Sequence, residues 1–310
     1  MKKIASIDIG SNTVRLLILA VDENQNFQVL TSRRVITRLG EGMDTHGALT
    51  KPRMADTFSA LSQFQQDCLE HGKPPLFAVA TSAVREASNG EEFVRLALEK
   101  TGIKIEIIPW EEEARLTLEG VFWKIPHANR KILTFDIGGG STEFILSEGK
   151  KIVSFCSSSL GVVRLTEKFI HQHPVDPAEY ENLTQYLHQE IHTLQQKLSA
   201  FQPQVLIGTA GTVTTLAAIK ENIYPYDPEK IHAAVLSRQD IETLEQDLKG
   251  KSLKQRLQLK ALEPGREDLI IAGTAIVLET MRAFQCDPLL VSEYSLREGI
   301  LLKALGTSTS

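Results

Sequence analysis

Two similar stretches of this chain constrain its fold more than any other feature of the sequence. One is ILTFDIGGGSTEFIL, residues 132–146, and the other is ASIDIGSNTVRLLIL, residues 5–19. In each, an apolar run ends in aspartate, a glycine-containing turn follows, and a second apolar run begins. This pattern predicts a strand, a tight turn and a second strand.

The two stretches align residue by residue. Asp8 falls on Asp136 and Gly10 on Gly138, at a spacing of 136 − 8 = 128 residues. The same spacing places Thr13 on Ser141 and Arg15 on Glu143. The chain is therefore predicted to be duplicated, with two similar lobes that face each other across a cleft holding the site.

The glycine turns suit phosphate binding. Consecutive glycines leave backbone N–H groups unshielded and free to adopt positive φ, so such a turn can close around a phosphate. Asp136, at the end of its strand, can hold a cation or a water molecule beside that phosphate.

Length and charge set broad limits. The 310 residues suffice for two domains with their own cores, and the formal charge of −5 argues against nonspecific binding of duplex nucleic acid. The N-terminus has too short an apolar run for a signal peptide, and no run approaches membrane-spanning length. The three cysteines are scattered and without a CxxC pair. A cytoplasmic protein with no membrane partner is expected.

Helical and strand patterns fill the two halves. A helix is predicted over 50–70, and a strand over 205–207 is predicted to lead into a GTAGT loop (208–212) and a helix from Val213. The polar, proline-containing segment 124–130 is the predicted boundary between a first domain, 1–125, and a second, 126–310. The last helix, 295–305, is expected to pack back on the first domain.

Several motifs have two interpretations on the residues alone. One is the acidic run Glu111, Glu112 and Glu113, which either complements a helix dipole or supplies a base that stays ionised. Arg85, in TSAVR, is a phosphate clamp or a surface charge. Two basic segments are either solvated surface or a track for a polyanion; they carry Arg33, Arg34, Arg38, Lys51 and Arg53, and Lys249, Lys251, Lys254, Arg256, Lys260 and Arg266.

Three other motifs are weak. The GKS of residues 250–252 has no glycine five positions earlier and no preceding strand, so it is not a Walker A loop. Residues 138–143 end in glutamate and lead into a strand, which disfavours a dinucleotide-binding fingerprint. His188 and His192 share a helix face but have neither an HExxH glutamate nor an obvious third ligand.

Taken together, the motifs resemble the exopolyphosphatase/guanosine pentaphosphate phosphohydrolase (Ppx/GppA) family of the short, two-domain type. The resemblance covers residues 4–301 and is carried by IDIGSNTVRLLI, RLGEG, ATSAVREASN, EEEARLTLEGV, DIGGGSTEF, SLGVVRLTE, GTAGT, PGREDLIIAG and SEYSLREGIL. It implies an α/β fold with two ribonuclease-H-like lobes, of the actin-like ATPase superfamily, around a phosphate-binding cleft. It also suggests a homodimer.

The resemblance also implies roles for individual residues. Glu113 would be the general base, with Glu143, Asp136 and Arg85 as further catalytic residues. Mg²⁺ would be held by Asp8, Asp136 and Glu143, with Glu41 as a weaker metal or water contact. Phosphate would be bound by Gly10, Ser11, Asn12, Thr13, Arg15, Gly138, Gly139, Gly140, Ser141, Thr142, Gly208, Thr209, Gly211, Thr212 and Arg266.

The expected activity is Mg²⁺-dependent hydrolysis of the terminal phosphoanhydride of inorganic polyphosphate. Guanosine pentaphosphate is the alternative substrate, because the two share that terminal group. A kinase of the same superfold and a non-catalytic nucleotide or alarmone sensor are the competing classes. The intact Glu111–Glu113 run disfavours a sensor, which needs no base.

Overall fold

A computed structural model describes residues 1–24, 26–126, 130–198 and 202–306. Its strands are β1 Lys2–Ile9, β2 Thr13–Val21, β3 Phe27–Ile36, β4 Leu76–Ala80, β5 Ile105–Ile107, β6 Lys131–Ile137, β7 Thr142–Glu148, β8 Lys151–Ser158, β9 Val205–Thr209, β10 Val235–Leu236 and β11 Leu289–Val291.

The helices lie between and after these strands along the chain. They are α1 Met43–His46, α2 Lys51–Glu70, α3 Ser82–Glu86, α4 Gly90–Thr101, α5 Trp110–Phe122, α6 Val162–Phe169, α7 Pro177–Lys197, α8 Ala210–Lys220, α9 Pro228–Ile231, α10 Arg238–Lys249, α11 Leu253–Arg256, α12 Ile270–Phe284 and α13 Leu296–Leu305. No helix among the described residues is both long and apolar enough to cross a membrane.

The chain forms two compact units. The first contains Met1–Gly120 together with the segment that begins at Leu296, and the second contains Val121–Ser295. The first unit is therefore built from two separated parts of the sequence.

The sheet of the first unit has the order β3-β2-β1-β4-β5. The hairpin strands β1, β2 and β3 pair antiparallel, whereas β4 and β5 add parallel strands through helical connections. Ile7, Leu16 and Phe64 belong to the core on one face, and Leu17 and Leu301 belong to a cluster on the other. Because both faces are covered, β1 and β2 are almost continuously apolar.

The sheet of the second unit has the order β10-β11-β9-β6-β7-β8. Within it, β8-β7-β6-β9-β11 repeats the order and strand directions of the first sheet, and β10 is an added antiparallel strand at the edge. Phe135 and Phe144 stack in its core, with ring centroids 6.4 Å apart. The prediction of two ribonuclease-H-like α/β lobes is confirmed.

One predicted boundary is wrong. The GTAGT segment is not a free loop before a helix at Val213, because Gly208 and Thr209 end β9 and α8 begins at Ala210. Ala210 makes the turn alone by adopting φ 68°. Gly211 and Thr212 therefore lie in the first turn of the helix.

Candidate functional site

The first glycine turn joins β1 to β2 in the first unit. Gly10 N–H donates to the Thr13 carbonyl oxygen at 3.1 Å, and Asp8 lies opposite Arg15 in the strand register. Ser11 is buried, and its carbonyl oxygen accepts a hydrogen bond from Gly40 N–H at 2.7 Å. The carbonyl oxygen of Asn12 accepts from the backbone of residues 37 and 38, so the RLGEG motif braces this turn.

The second turn repeats this geometry in the second unit. Gly138 N–H donates to the Ser141 carbonyl oxygen at 2.9 Å, and Asp136 lies opposite Glu143. The carbonyl oxygen of Gly139 accepts from Val163 N–H at 2.9 Å, at the start of α6. Matching registers and closing hydrogen bonds show that the 128-residue spacing reflects a structural duplication.

The glycines that open the turns allow the backbone to come close to a carbonyl oxygen, and they do not adopt a positive φ. Neither Gly10 nor Gly138 adopts a φ in the left-handed region. A Cβ at Gly10 would lie 3.3 Å from the Thr13 carbonyl oxygen, and one at Gly138 would lie 3.0 Å from that of Ser141. The expected conformational role is therefore replaced by a steric one at both positions.

Asp8 is influenced by three charged side chains of the first unit. Burial raises the pKa of this carboxyl, while Arg15 and then Arg297 lower it and Glu298 raises it further. Glu298 is buried and accepts from Arg297 Nη2 at 2.7 Å, and the Arg297 carbonyl oxygen accepts from Ser6 Oγ at 3.0 Å. No role was predicted for Arg297 or Glu298, although their SLREG motif contributed to the resemblance.

Asp136 and Glu143 are directly opposite each other in the antiparallel pairing of β6 and β7. Glu143 is buried, and its Oε1 accepts from Ser141 Oγ at 2.6 Å and Ser157 Oγ at 3.1 Å. The described residues contain no group of three or more acidic, histidine or cysteine side chains arranged as a metal cage. Mg²⁺ is usually bound by only one or two carboxylates, with water and substrate phosphates completing its octahedron. Two carboxylate residues at opposite positions of a strand pair, Asp136 and Glu143, fit that mode.

Arg85 and Glu113 form a largely buried ion pair in the first unit. Arg85 lies in the last turn of α3, after β4, and Glu113 lies in the first turn of α5, after β5. Arg85 Nη1 donates to Glu113 Oε2 at 2.8 Å and to the Ile108 carbonyl oxygen at 2.9 Å. Because β4 and β5 are parallel neighbours, the segments after both strands meet at one edge of the sheet.

The other two nitrogens of Arg85 are exceptional. Nε and Nη2 are buried and have no hydrogen-bond partner among the described residues. A buried unpaired donor is costly, and in a native protein it requires an explanation such as a catalytic role or a bound water or ion. Arg85 is thus a mostly covered side chain with two unpaired N–H donors rather than a solvated surface charge, and its role as an oxyanion clamp stays a prediction.

The three glutamates of the α5 run separate in the structure. Glu113 is buried, Glu112 pairs with Arg115 at 2.8 Å, and Glu111 is exposed. Hydrogen bonds from Arg115 and Lys303, the first being the larger effect, lower the pKa of Glu112. Only Glu113 of the three joins Arg85.

Arg266 precedes α12 in the second unit, and its side chain lies against the start of α8. It is buried, its Nε donates to Glu263 Oε2 at 2.9 Å, and its guanidinium lies so close to Gly211 that a Cβ there would overlap it. The first backbone N–H groups of a helix favour an anion. Arg266 and the GTAGT segment are therefore brought together, and their role in phosphate binding stays a prediction.

The basic segments do not form continuous solvated strips. Arg33 pairs with Asp67, and Arg53 pairs with Asp56 and Glu41, which places the predicted weak metal contact in an ion pair. In the second segment Arg256 is fully buried. The clustering of basic residues in the sequence therefore overestimates the positively charged surface that a polyanion could contact.

Comparisons with known proteins agree with this geometry. A sequence model described as the Ppx/GppA phosphatase family matches residues 17–308. Exopolyphosphatase 2 of Mycobacterium tuberculosis is 31% identical over 319 residues, covering 99% of each chain. Exopolyphosphatase 1 of Mycobacterium bovis is 27% identical over 304 residues, covering 98% of this chain and 88% of the relative.

Solved structures give the same result. A Ppx/GppA family member of Aquifex aeolicus matches with a TM-score of 0.83 and 32% identity, covering 100% of this chain and 99% of the other. An exopolyphosphatase of Cytophaga hutchinsonii matches with a TM-score of 0.92 and 28% identity, covering 99% and 98%. The chain therefore belongs to the Ppx/GppA phosphatase family and is a phosphoanhydride hydrolase.

Proposed function

We propose that this protein is an exopolyphosphatase, which removes the terminal phosphate of inorganic polyphosphate in a Mg²⁺-dependent reaction with Glu113 as general base. The observation that carries the proposal is the largely buried Arg85–Glu113 pair, in which the guanidinium retains two unpaired nitrogens. This pair supports the proposal because a group that could bind an anion and a group that could take a proton from water lie next to each other.

Glu113 suits the task of taking a proton from water. Its carboxylate is oriented by Arg85 Nη1, and its place in the first turn of α5 puts it at the positive end of the helix dipole. Phosphoryl transfer requires little covalent help, so positioning of the water and neutralisation of charge dominate catalysis. Arg85 would contribute to the neutralisation of charge through the Nε–Nη2 edge of its guanidinium.

The glycine turns contribute backbone N–H groups to phosphate binding. Each turn is held by a hydrogen bond from its opening glycine and by bonds to a second segment of the same unit, so little ordering is needed when a phosphate arrives. In the second unit, Asp136 and Glu143 would hold the Mg²⁺. When bound, the ion would supply charge neutralisation on phosphate oxygens.

The choice of polyphosphate rests on the relatives rather than on surface charge. The basic segments that favoured a polyanion are largely paired or buried. The Mycobacterium relatives and the Cytophaga structure are named exopolyphosphatases. Guanosine pentaphosphate is the alternative, since it ends in the same phosphoanhydride.

The test is phosphate release by the purified protein with Mg²⁺, from long-chain polyphosphate and from guanosine pentaphosphate, for wild type, Glu113→Gln and Glu111→Gln. Glutamine retains an acceptor for Arg85 but cannot take up a proton from water. We expect Glu113→Gln to lower turnover by about 10²–10⁴-fold, the usual contribution of a positioned acid or base. Glu111→Gln, an exposed member of the same run, is the matched control and should stay near wild type.

Each outcome leads to a different conclusion. Release from the nucleotide alone would replace the substrate but keep the mechanism. Near-normal turnover in a folded Glu113→Gln protein would refute the base assignment. No release from either compound would refute hydrolysis; ADP formation from ATP only with an acceptor would then indicate a kinase, and tight binding without turnover a sensor.

A further inference from the structure

Trp110 lies beside the proposed catalytic pair and has no role in the function described above. It is the first residue of α5, three positions before Glu113, and 43% of its surface is exposed. Its ring lies against the guanidinium of Arg85, with Cζ 5.4 Å from the ring centroid. We propose that Trp110 is a positioning residue, which fixes the plane of the Arg85 guanidinium for phosphate binding.

The hydrogen bonds of Arg85 leave its orientation incompletely fixed. Both of its protein partners, the Ile108 carbonyl oxygen and Glu113 Oε2, are bound by the single nitrogen Nη1. A guanidinium that is hydrogen-bonded at one nitrogen can still tilt about the line that joins this nitrogen to its covalent attachment at Cδ. The Trp110 ring, which lies over Cζ, supplies the missing constraint, because a bulky ring against the guanidinium opposes this tilt.

The constrained edge has the chemistry of a phosphate site. Arg85 Nε and Nη2 carry parallel N–H groups, and neither has a partner among the described residues. Two parallel donors match two oxygens of a phosphate and bind them bidentately, which requires a defined plane as well as a charge. Trp110 therefore acts on phosphate affinity through Arg85 and touches no reacting atom.

Exposure of the indole supports a role beyond packing. Tryptophan is a large side chain that is highly buried on average, whereas Trp110 leaves much of its surface to solvent and covers a charged group. Its neighbours in the same helix, Ala114 and Leu116, are buried and make the helix's apolar contacts. The helix thus does not depend on Trp110 for its packing.

This inference rests on the proposed function, and kinetics of three variants test it. Trp110→Phe retains an aromatic face, Trp110→Leu retains bulk without one, and Trp110→Ala retains neither. We expect KM to rise about three- to tenfold in the leucine and alanine variants, the range of a partly exposed cation–π contact, with kcat within about twofold and the phenylalanine variant near wild type. Wild-type KM in Trp110→Leu, or an effect on kcat alone, would overturn the proposal.

A double-mutant cycle separates positioning from general destabilisation. If Trp110 acts through Arg85, Trp110→Ala should add little to the KM of an Arg85→Lys protein, because the bidentate edge is already lost. Full additivity of the two effects would overturn the proposal. Thermal unfolding of all variants, expected within a few degrees of wild type, shows that each is folded.

A binding measurement keeps this test independent of turnover. The sequence has two tryptophans, so in a Trp123→Phe background the fluorescence reports Trp110 alone. Titration with inorganic pyrophosphate should change that emission saturably, and Arg85→Ala should abolish the change. A flat titration would overturn the role of Trp110, whereas absence of phosphate release with an intact titration would refute only the proposed function.

Discussion

Replacement of Arg256 tests how a fully buried charge is tolerated in the second unit. Arg256 is 0% exposed, and its Nε donates to the Leu248 carbonyl oxygen at 2.9 Å. Its Nη1 donates to the Glu267 carbonyl oxygen at 2.8 Å and lies 2.9 Å from His173 Nδ1. Burial lowers the pKa of this guanidinium to about 10, opposed by Asp268 and Glu267, so it stays charged at neutral pH.

The expected loss in Arg256→Met follows from the acceptors left behind. The Leu248 carbonyl oxygen also accepts from Lys251 N–H at 3.2 Å and stays bonded. The Glu267 carbonyl oxygen and His173 Nδ1 lose the Arg256 donor. Each acceptor that is left without a donor costs about 1–3 kcal/mol. The substitution also removes Arg256 Nη2, a buried nitrogen without a partner, which offsets part of this cost. The free energy of unfolding should therefore fall by about 2–4 kcal/mol.

Thermal unfolding followed by circular dichroism measures this loss. A decrease of about 5–15 °C in Tm is expected for a unit of this size. The matched control is Lys254→Met, an exposed basic residue of the same segment, which should change the free energy of unfolding by less than about 0.5 kcal/mol. A Tm for Arg256→Met within about 2 °C of wild type would show that the hydrogen bonds of Arg256 merely offset its desolvation.

Three further predictions concern the second unit. Gly211→Ala should displace the overlapping Arg266 guanidinium and raise KM for polyphosphate several-fold while Tm stays within a few degrees; unchanged KM would refute a substrate role for Arg266. Burial, and then the charge of Arg256, lower the pKa of His173 below 6.5. The corresponding stability is present above pH 6.5 and is lost as pH falls through the native pKa, so between pH 7.5 and 5.5 the Tm of wild type should fall more than that of His173→Asn, and equal decreases would contradict this. Chelation of Mg²⁺ should abolish phosphate release, and Asp136→Asn should raise the Mg²⁺ concentration for half-maximal rate, whereas an unchanged requirement would exclude Asp136 as a ligand.

The duplicated turns could be predicted because local pattern determines them. The sequence of an apolar run, a short turn and a second apolar run predicts a hairpin. The length of the turn fixes the register of that hairpin, which pairs Asp8 with Arg15 and Asp136 with Glu143. The helix predicted over 50–70 is observed at Lys51–Glu70 for the same reason, since its apolar spacing and its flanking glycine and prolines are all local.

Long-range contacts account for what the sequence could not show. Arg256 looked like surface charge, since its carbonyl partners are not visible in residue spacing. Ala210 adopts φ 68°, a conformation that alanine rarely takes, so no local signal placed the start of α8 there. The cation–π contact between Trp110 and Arg85 joins residues that are 110 − 85 = 25 positions apart. It depends on the parallel pairing of β4 with β5.

The divided first unit has a consequence for synthesis on the ribosome. Ile4, Leu17 and Leu19 share an apolar cluster with Leu301, which lies in α13 near the other end of the sequence. Until that helix leaves the ribosome, this face of the first sheet has no Leu301 to cover it, although every strand of the sheet has already been made. Domains generally fold as units and N-terminal ones first during translation. Here the second unit can complete its fold before the first, and the nascent first sheet carries an exposed apolar face for most of translation, where chaperones would bind.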